Sequence, residues 1–134
     1  MYLLDTNAIS AVANEPTGIV AQRLSEADGR SGVNPIIIGE LLFGVARRPS
    51  ARLEARITNV LVRLEAWPLE PDTAAIYARV RASLERAGTP IGPNDLWIAA
   101  HALTISATLV SANEREFRRV EGLAVENWSA REAS

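Results

Sequence analysis

Three acidic residues stand where charge is expensive. Asp5 ends the short apolar run Tyr2-Leu3-Leu4. Glu40 lies among Ile36, Ile37, Ile38, Gly39, Leu41, Leu42 and Phe43, all apolar or small. Asp95 precedes the apolar stretch Leu96-Trp97-Ile98-Ala99-Ala100. An unpaired buried charge is costly, so a carboxylate in such a setting is expected to face a partner. Carboxylate oxygens suit hard cations, and Mg²⁺ is the usual choice for phosphate chemistry. Two such ions about 4 Å apart can activate water and steady the leaving oxygen of a phosphodiester. Each acid also has an ordinary use. Asp5 and Asn7 can cap a helix, Asp95 can favour a helix N-terminus through the dipole, and Glu40 can point to solvent. The metal reading requires all three to converge.

Composition narrows the chemistry. The chain has 134 residues and 48% hydrophobic side chains, enough for one domain with its own core. It has no cysteine, which removes thiol catalysis, disulfides and cysteine zinc sites and fits a cytoplasmic setting. One histidine, His101, cannot build a multi-histidine metal site. No apolar run reaches the roughly 18 residues a membrane helix needs, and the start does not read as a signal peptide. Net charge is -2, so this is no generic basic nucleic-acid binder. All 14 basic residues are arginine, so any phosphate contact would be a planar guanidinium fork.

The acids must be positioned by alternating strands and helices, the pattern of an α/β domain with a mainly parallel sheet. Tyr2 to Asp5 reads as the first strand. Asp5 at its end is notable, because open α/β sheets bind ligands outside the carboxyl ends of their strands. Thr6 and Asn7 can cap a helix through Ala13, and a second helix spans about Gly18 to Ala27. Gly29 to Gly32 reads as a turn and Val33 as a short strand. Asn34-Pro35 is a helix start, a capping side chain followed by proline, and that helix runs to about Arg47. Leu53, Ile57, Val60, Leu61 and Leu64 keep helical spacing. Trp67 to Leu69 reads as a strand. Pro71-Asp72 opens a helix closed by Gly88, and Pro93-Asn94 opens another through Leu103. Ala107 to Val110 reads as a buried strand, Glu114 to Arg119 as a short helix, and Leu123 to Val125 as a last strand. Residues 129–134 are expected to form a frayed tail.

Taken in order, five segments resemble the successive motifs of VapC-type PIN-domain toxins. They are Met1-Tyr-Leu-Leu-Asp5-Thr6-Asn7, Asn34-Pro35 through Glu40-Leu41, Gly92-Pro93-Asn94-Asp95 through Ala102, Leu109-Val110-Ser111 through Val120, and Gly122-Leu123 through Trp128. The resemblance spans nearly the whole chain. It implies a single PIN domain over 1–134, a three-layer α/β/α fold with a central, mainly parallel sheet. It implies Mg²⁺- or Mn²⁺-dependent cleavage of RNA and a homodimer. A VapB-type antitoxin would occupy the active-site groove, and operator DNA would be bound only through that antitoxin. By matching motifs, Asp5, Glu40 and Asp95 carry over as catalytic metal ligands. Thr6, Asn7 and Ser111 become residues that orient carboxylates or water.

The chain departs from the family's pattern at one place. A fourth acid often stands at the position matched by Asn113, and an amide there brings no charge. Glu116 or Asn113 itself can serve there as a metal ligand, but the two also have capping-box spacing, and both uses stay open. Arg115, Arg118 and Arg119 follow closely and are candidates for phosphate contacts or for a solvated helix face. His101, roughly two helical turns beyond Asp95, reads as a packing or surface residue and not a general base. Trp97 reads as core or interface. A phosphohydrolase with an aspartyl nucleophile is disfavoured, since Asn7 stands where a second aspartate is wanted and the chain has no lysine. The remaining alternative is a catalytically impaired PIN fold that serves as an antitoxin partner in promoter autoregulation.

Overall fold

The computed structural model describes residues 1–130. Its centre is a five-stranded sheet formed by β1 (Tyr2–Leu4), β2 (Ser31–Val33), β3 (Glu65–Ala66), β4 (Thr108–Val110) and β5 (Val125–Glu126). The strand order is β3-β2-β1-β4-β5, and every pairing is parallel. The chain builds outward from β1 first to one side, then to the other. That reversal opens a crevice at the carboxyl end of β1.

The helices are α1 (Thr6–Asn14), α2 (Ile19–Glu26), α3 (Pro35–Arg47), α4 (Ala51–Leu61), α5 (Pro71–Ala87), α6 (Pro93–Thr104) and α7 (Glu114–Phe117). Right-handed crossovers put α1 to α4 on one face and α5 to α7 on the other. Accordingly α1 packs on α2, α3 and α4, while α5 packs on α6. The two layers also meet where α3, which leaves the end of β2, touches α6. Leu3, Leu4, Val33, Leu109 and Val110 from the strands, with Ile9, Ile37, Ile98 and Phe117 from the helices, are fully buried between the layers.

Local chemistry explains most boundaries. Asn34 Oδ1 accepts the Ile37 N–H at 2.9 Å, and Pro35 follows at the first helical position. Gly88 closes α5 with φ 71°, a left-handed conformation that favours glycine. Four expectations need correction. The cap of α1 is Asp5, whose side chain accepts from Thr6 N, and not Thr6 or Asn7. Ser31 and Gly32 belong to β2 and not to a turn; Gly32 is small because a Cβ there would meet the Trp67 ring at 2.7 Å. The third strand lies at Glu65–Ala66, ahead of Trp67–Leu69, although Trp67 N still donates to Val33 O. The last strand begins at Val125, because the turn at Gly122 (φ 82°) is closed by Leu123 N donating to Val120 O.

Two helices are also shorter than their apolar spacing suggested, α4 ending at Leu61 and α7 at Phe117. Of the expected tail, 131–134 lie outside the described residues. Ser129 N is held by Asn127 Oδ1, and Ala130 O accepts from Arg23. Among the described residues no helix is long and apolar enough to cross a membrane.

Candidate active site

Asp5 directly follows the central strand and is only 5% exposed. Leu4 pairs with Val110, so the next residues on the two strands, Asp5 and Ser111, emerge side by side. Ser111 Oγ donates to Asp5 Oδ2 at 2.9 Å, and Thr6 N donates to Oδ1 at 2.8 Å. Asn7 Nδ2 reaches both Asp5 Oδ2 and Ser111 Oγ, while its Oδ1 accepts from Ala112 N. Ser111 Oγ also accepts from Asn113 N at 3.0 Å. The Asp5 carboxylate is therefore clamped from the ends of two neighbouring strands. Burial still outweighs these bonds and raises its pKa.

Glu40 projects from the middle of α3 and is half-buried. Burial and the Asp5 charge raise its pKa, and Thr6 beside it moderates the rise. That contact is imperfect, since Glu40 Oε1 and Thr6 Oγ1 are both buried without a well-formed hydrogen bond. Asp95 lies in the first turn of α6. Its pKa is pushed up to about 6 by burial, then by the charges of Asp5, Glu40 and Glu116. The three acids foreseen from sequence thus converge, and Glu116 joins them. Glu116 Oε2 accepts from Asn113 Nδ2 at 3.2 Å, and Asn113 makes no side-chain cap to α7. The capping-box expectation is therefore not met. The amide at 113 holds an acid that faces Asp95.

The donor set suits a hard divalent cation: the charges of Asp5, Glu40 and Glu116 all act on Asp95, and one buried carboxylate oxygen, Glu40 Oε1, has no well-formed hydrogen bond. The fit is not preset. Among the described residues, no three acidic or histidine side chains already stand as a closed ligand set.

The other foreseen residues are more dispersed. Arg118 pairs with Glu114 at 3.2 Å, and Arg119 donates to Pro90 O, while Arg115 is exposed. Among the described residues, none of the three arginines bonds to Asp5, Glu40, Asp95 or Glu116. Trp97 is half-buried and stacks on Tyr77, with centroids 3.9 Å apart. His101 is fully buried, not a surface residue, and its Nδ1 lies 2.9 Å from Asn34 Nδ2. Sequence reasoning gave Asn34 only a capping role. The signal for its second role was a buried histidine that needed a polar partner.

A strand-end aspartate and three helical acids thus meet at the end of a parallel α/β sheet, a donor set of the kind that suits a divalent cation. Residues 2–123 match the PIN domain family. Ribonuclease VapC2 of Haemophilus influenzae is 37% identical over 95% of this chain and 97% of its own length. The tRNA(fMet)-specific endonuclease VapC of Shigella flexneri is 34% identical over 96% and 98%. A chain in the crystal structure of VapBC2 from Rickettsia felis bound to a DNA fragment from their promoter superposes with a TM-score of 0.89, at 32% identity, covering 95% of this chain and 98% of that one. The chain belongs to the VapC branch of the PIN-domain family.

Proposed function

We propose that this chain is the toxin of a type II toxin–antitoxin pair, a cytoplasmic endoribonuclease that hydrolyses RNA phosphodiester bonds with Mg²⁺, or Mn²⁺ in its place. The observation that carries the reading is the convergence of Asp5, Glu40 and Asp95 at the end of the central strand, with Glu40 Oε1 buried and unpaired. These acids, with Glu116, would hold the cation. A cation held there supplies charge neutralisation for a scissile phosphate and for its leaving oxygen. Ser111 and Asn7 keep Asp5 in one orientation, and Asn113 does the same for Glu116. The Arg115, Arg118 and Arg119 guanidinium groups are offered to flanking phosphates.

The partners follow from the relatives. We assign a VapB-type antitoxin as inhibitor, a homodimer as the working unit, one PIN domain spanning 1–134, and operator contact only through the antitoxin. The test is cleavage by antitoxin-free protein of a panel of structured RNAs, initiator tRNA included, with Mg²⁺, with Mn²⁺ and with chelator. Metal-dependent cleavage lost in Asp95→Asn is the expected result. Intact antitoxin binding without cleavage of any RNA would favour the partner-only alternative instead.

A further inference from the structure

Asn34, the cap of α3, stands six residues before Glu40, and Asp95 and His101 are six apart on α6. Asn34 touches His101 in the last turn of α6, while Glu40, in the middle of α3, lies close enough to Asp95, in the first turn of α6, for its charge to act there. The two helices therefore run in opposite directions along their contact. Each acid lies about 9 Å up its helix from the Asn34–His101 bond, at 1.5 Å rise per residue. A bond at that point fixes how far along the contact each acid stands.

The bond has a defined sense. Asn34 Oδ1 is occupied by the Ile37 N–H, so Nδ2 faces His101 as a donor. Nδ1 of the ring must then accept, and the ring proton sits on Nε2. The Pro68 carbonyl lies beside the ring, though Nε2 makes no well-aligned bond. Asn34 is 0% and His101 1% exposed, so water does not compete for this contact. It joins elements of opposite layers. Apolar packing is non-directional and tolerates sliding, whereas a buried hydrogen bond does not.

We propose that the Asn34–His101 bond sets the register of α3 against α6, making His101 a positioning residue that holds Glu40 and Asp95 at one level for the cation. The inference rests on the metal-dependent reading above. A slip of one residue moves an acid about 1.5 Å, and displacement of that order is costly to a reacting geometry.

The variants separate the pin from capping and from packing. Asn34→Ser keeps an N-cap oxygen for Ile37 N but is too short to reach His101. His101→Asn keeps an acceptor near the Nδ1 position; His101→Gln keeps only a group near Nε2. Mn²⁺ affinity is read by electron paramagnetic resonance, together with cleavage. Asn34→Ser and His101→Gln are expected to weaken Mn²⁺ binding about tenfold, as loss of a ligand-orienting partner does. The double variant should be no weaker than either single one, and His101→Asn should stay near wild type. Wild-type affinity in both single variants, or equal losses in His101→Asn and His101→Gln, overturns the proposal. A metal-free crystal structure of His101→Gln decides it independently, through the separation of the Glu40 and Asp95 carboxylates. An unchanged separation defeats the pin. Failure of wild type to bind Mn²⁺ defeats the metal reading instead, and the metal-free structure still judges the pin.

Discussion

Asp95 carries the clearest chemical signature of the site. Its folded pKa of about 6 lies above the ordinary 3.8 because burial and three neighbouring carboxylates oppose its charge. The folded protein thus binds more protons than the unfolded chain between those values. Stability without metal should fall as pH rises from about 4 to about 6. The full shift corresponds to roughly 3 kcal/mol, but the group is half open to solvent, and screening reduces this to about 1 kcal/mol. Asp5 and Glu40 are raised and act with the same sign. A cation reverses the repulsion only where the acids are ionised. Mg²⁺ should therefore raise the melting temperature more at pH 7 than at pH 5, and Asp95→Asn should weaken the pH dependence, leaving the part due to Asp5 and Glu40, and abolish the cleavage. Equal Mg²⁺ shifts at the two pH values would contradict this account.

Glu116 is the second test at this scale. With the capping box unmade, its carboxylate is free to serve the site, and Asn113 merely aims it. Glu116→Gln should cut cleavage tenfold or more while changing stability by about 0.5 kcal/mol or less, the usual range for substitutions outside the core. Activity kept in that variant, seen in single-turnover RNA cleavage, would return Glu116 to a structural role.

At the level of elements, the helices were the legible part. Asn34-Pro35, Pro71, Gly88 and Pro93 act through their own backbone chemistry, so their boundaries are written locally. The three acids were legible for a related reason: each interrupts an apolar pattern. The strands were less so. Each is two or three residues long, too short for alternation to fix its ends. Gly32 reads locally as a turn residue, yet it is a strand residue made small by Trp67, which is 35 positions away. The Asn34–His101 bond was hidden for the same reason, since it joins elements 67 positions apart. Gly32→Ala should be destabilising, because a Cβ 2.7 Å from the indole cannot be accommodated without moving β3. A cost of about 1–3 kcal/mol is expected from such overpacking, measurable by urea unfolding. A variant as stable as wild type would mean that the Trp67 edge is loosely held.

For the whole molecule, the charge map and the apolar surface lie together. The acids gather on a chain of net charge -2, and the helix that carries Glu40 also presents Leu42 at 50% and Phe43 at 63% exposure. Such residues beside an anionic pocket suit a partner with an apolar segment and a cation. The antitoxin should therefore place an arginine or lysine near Asp5, Glu40 and Asp95, with apolar side chains lying along α3. Phe43→Ser should weaken antitoxin binding about tenfold or more, as loss of a buried aromatic anchor does. RNA cleavage by the free toxin should persist, since Phe43 is solvent-facing and outside the carboxylate set. Replacing the antitoxin's cation by alanine should lower affinity further, and most at low ionic strength, where the acidic pocket is least screened. Calorimetric titration of the two changes, alone and together, reads both effects. If Phe43→Ser instead leaves antitoxin affinity intact and converts a dimer to a monomer in sedimentation, the exposed face of α3 belongs to the homodimer and not to the antitoxin.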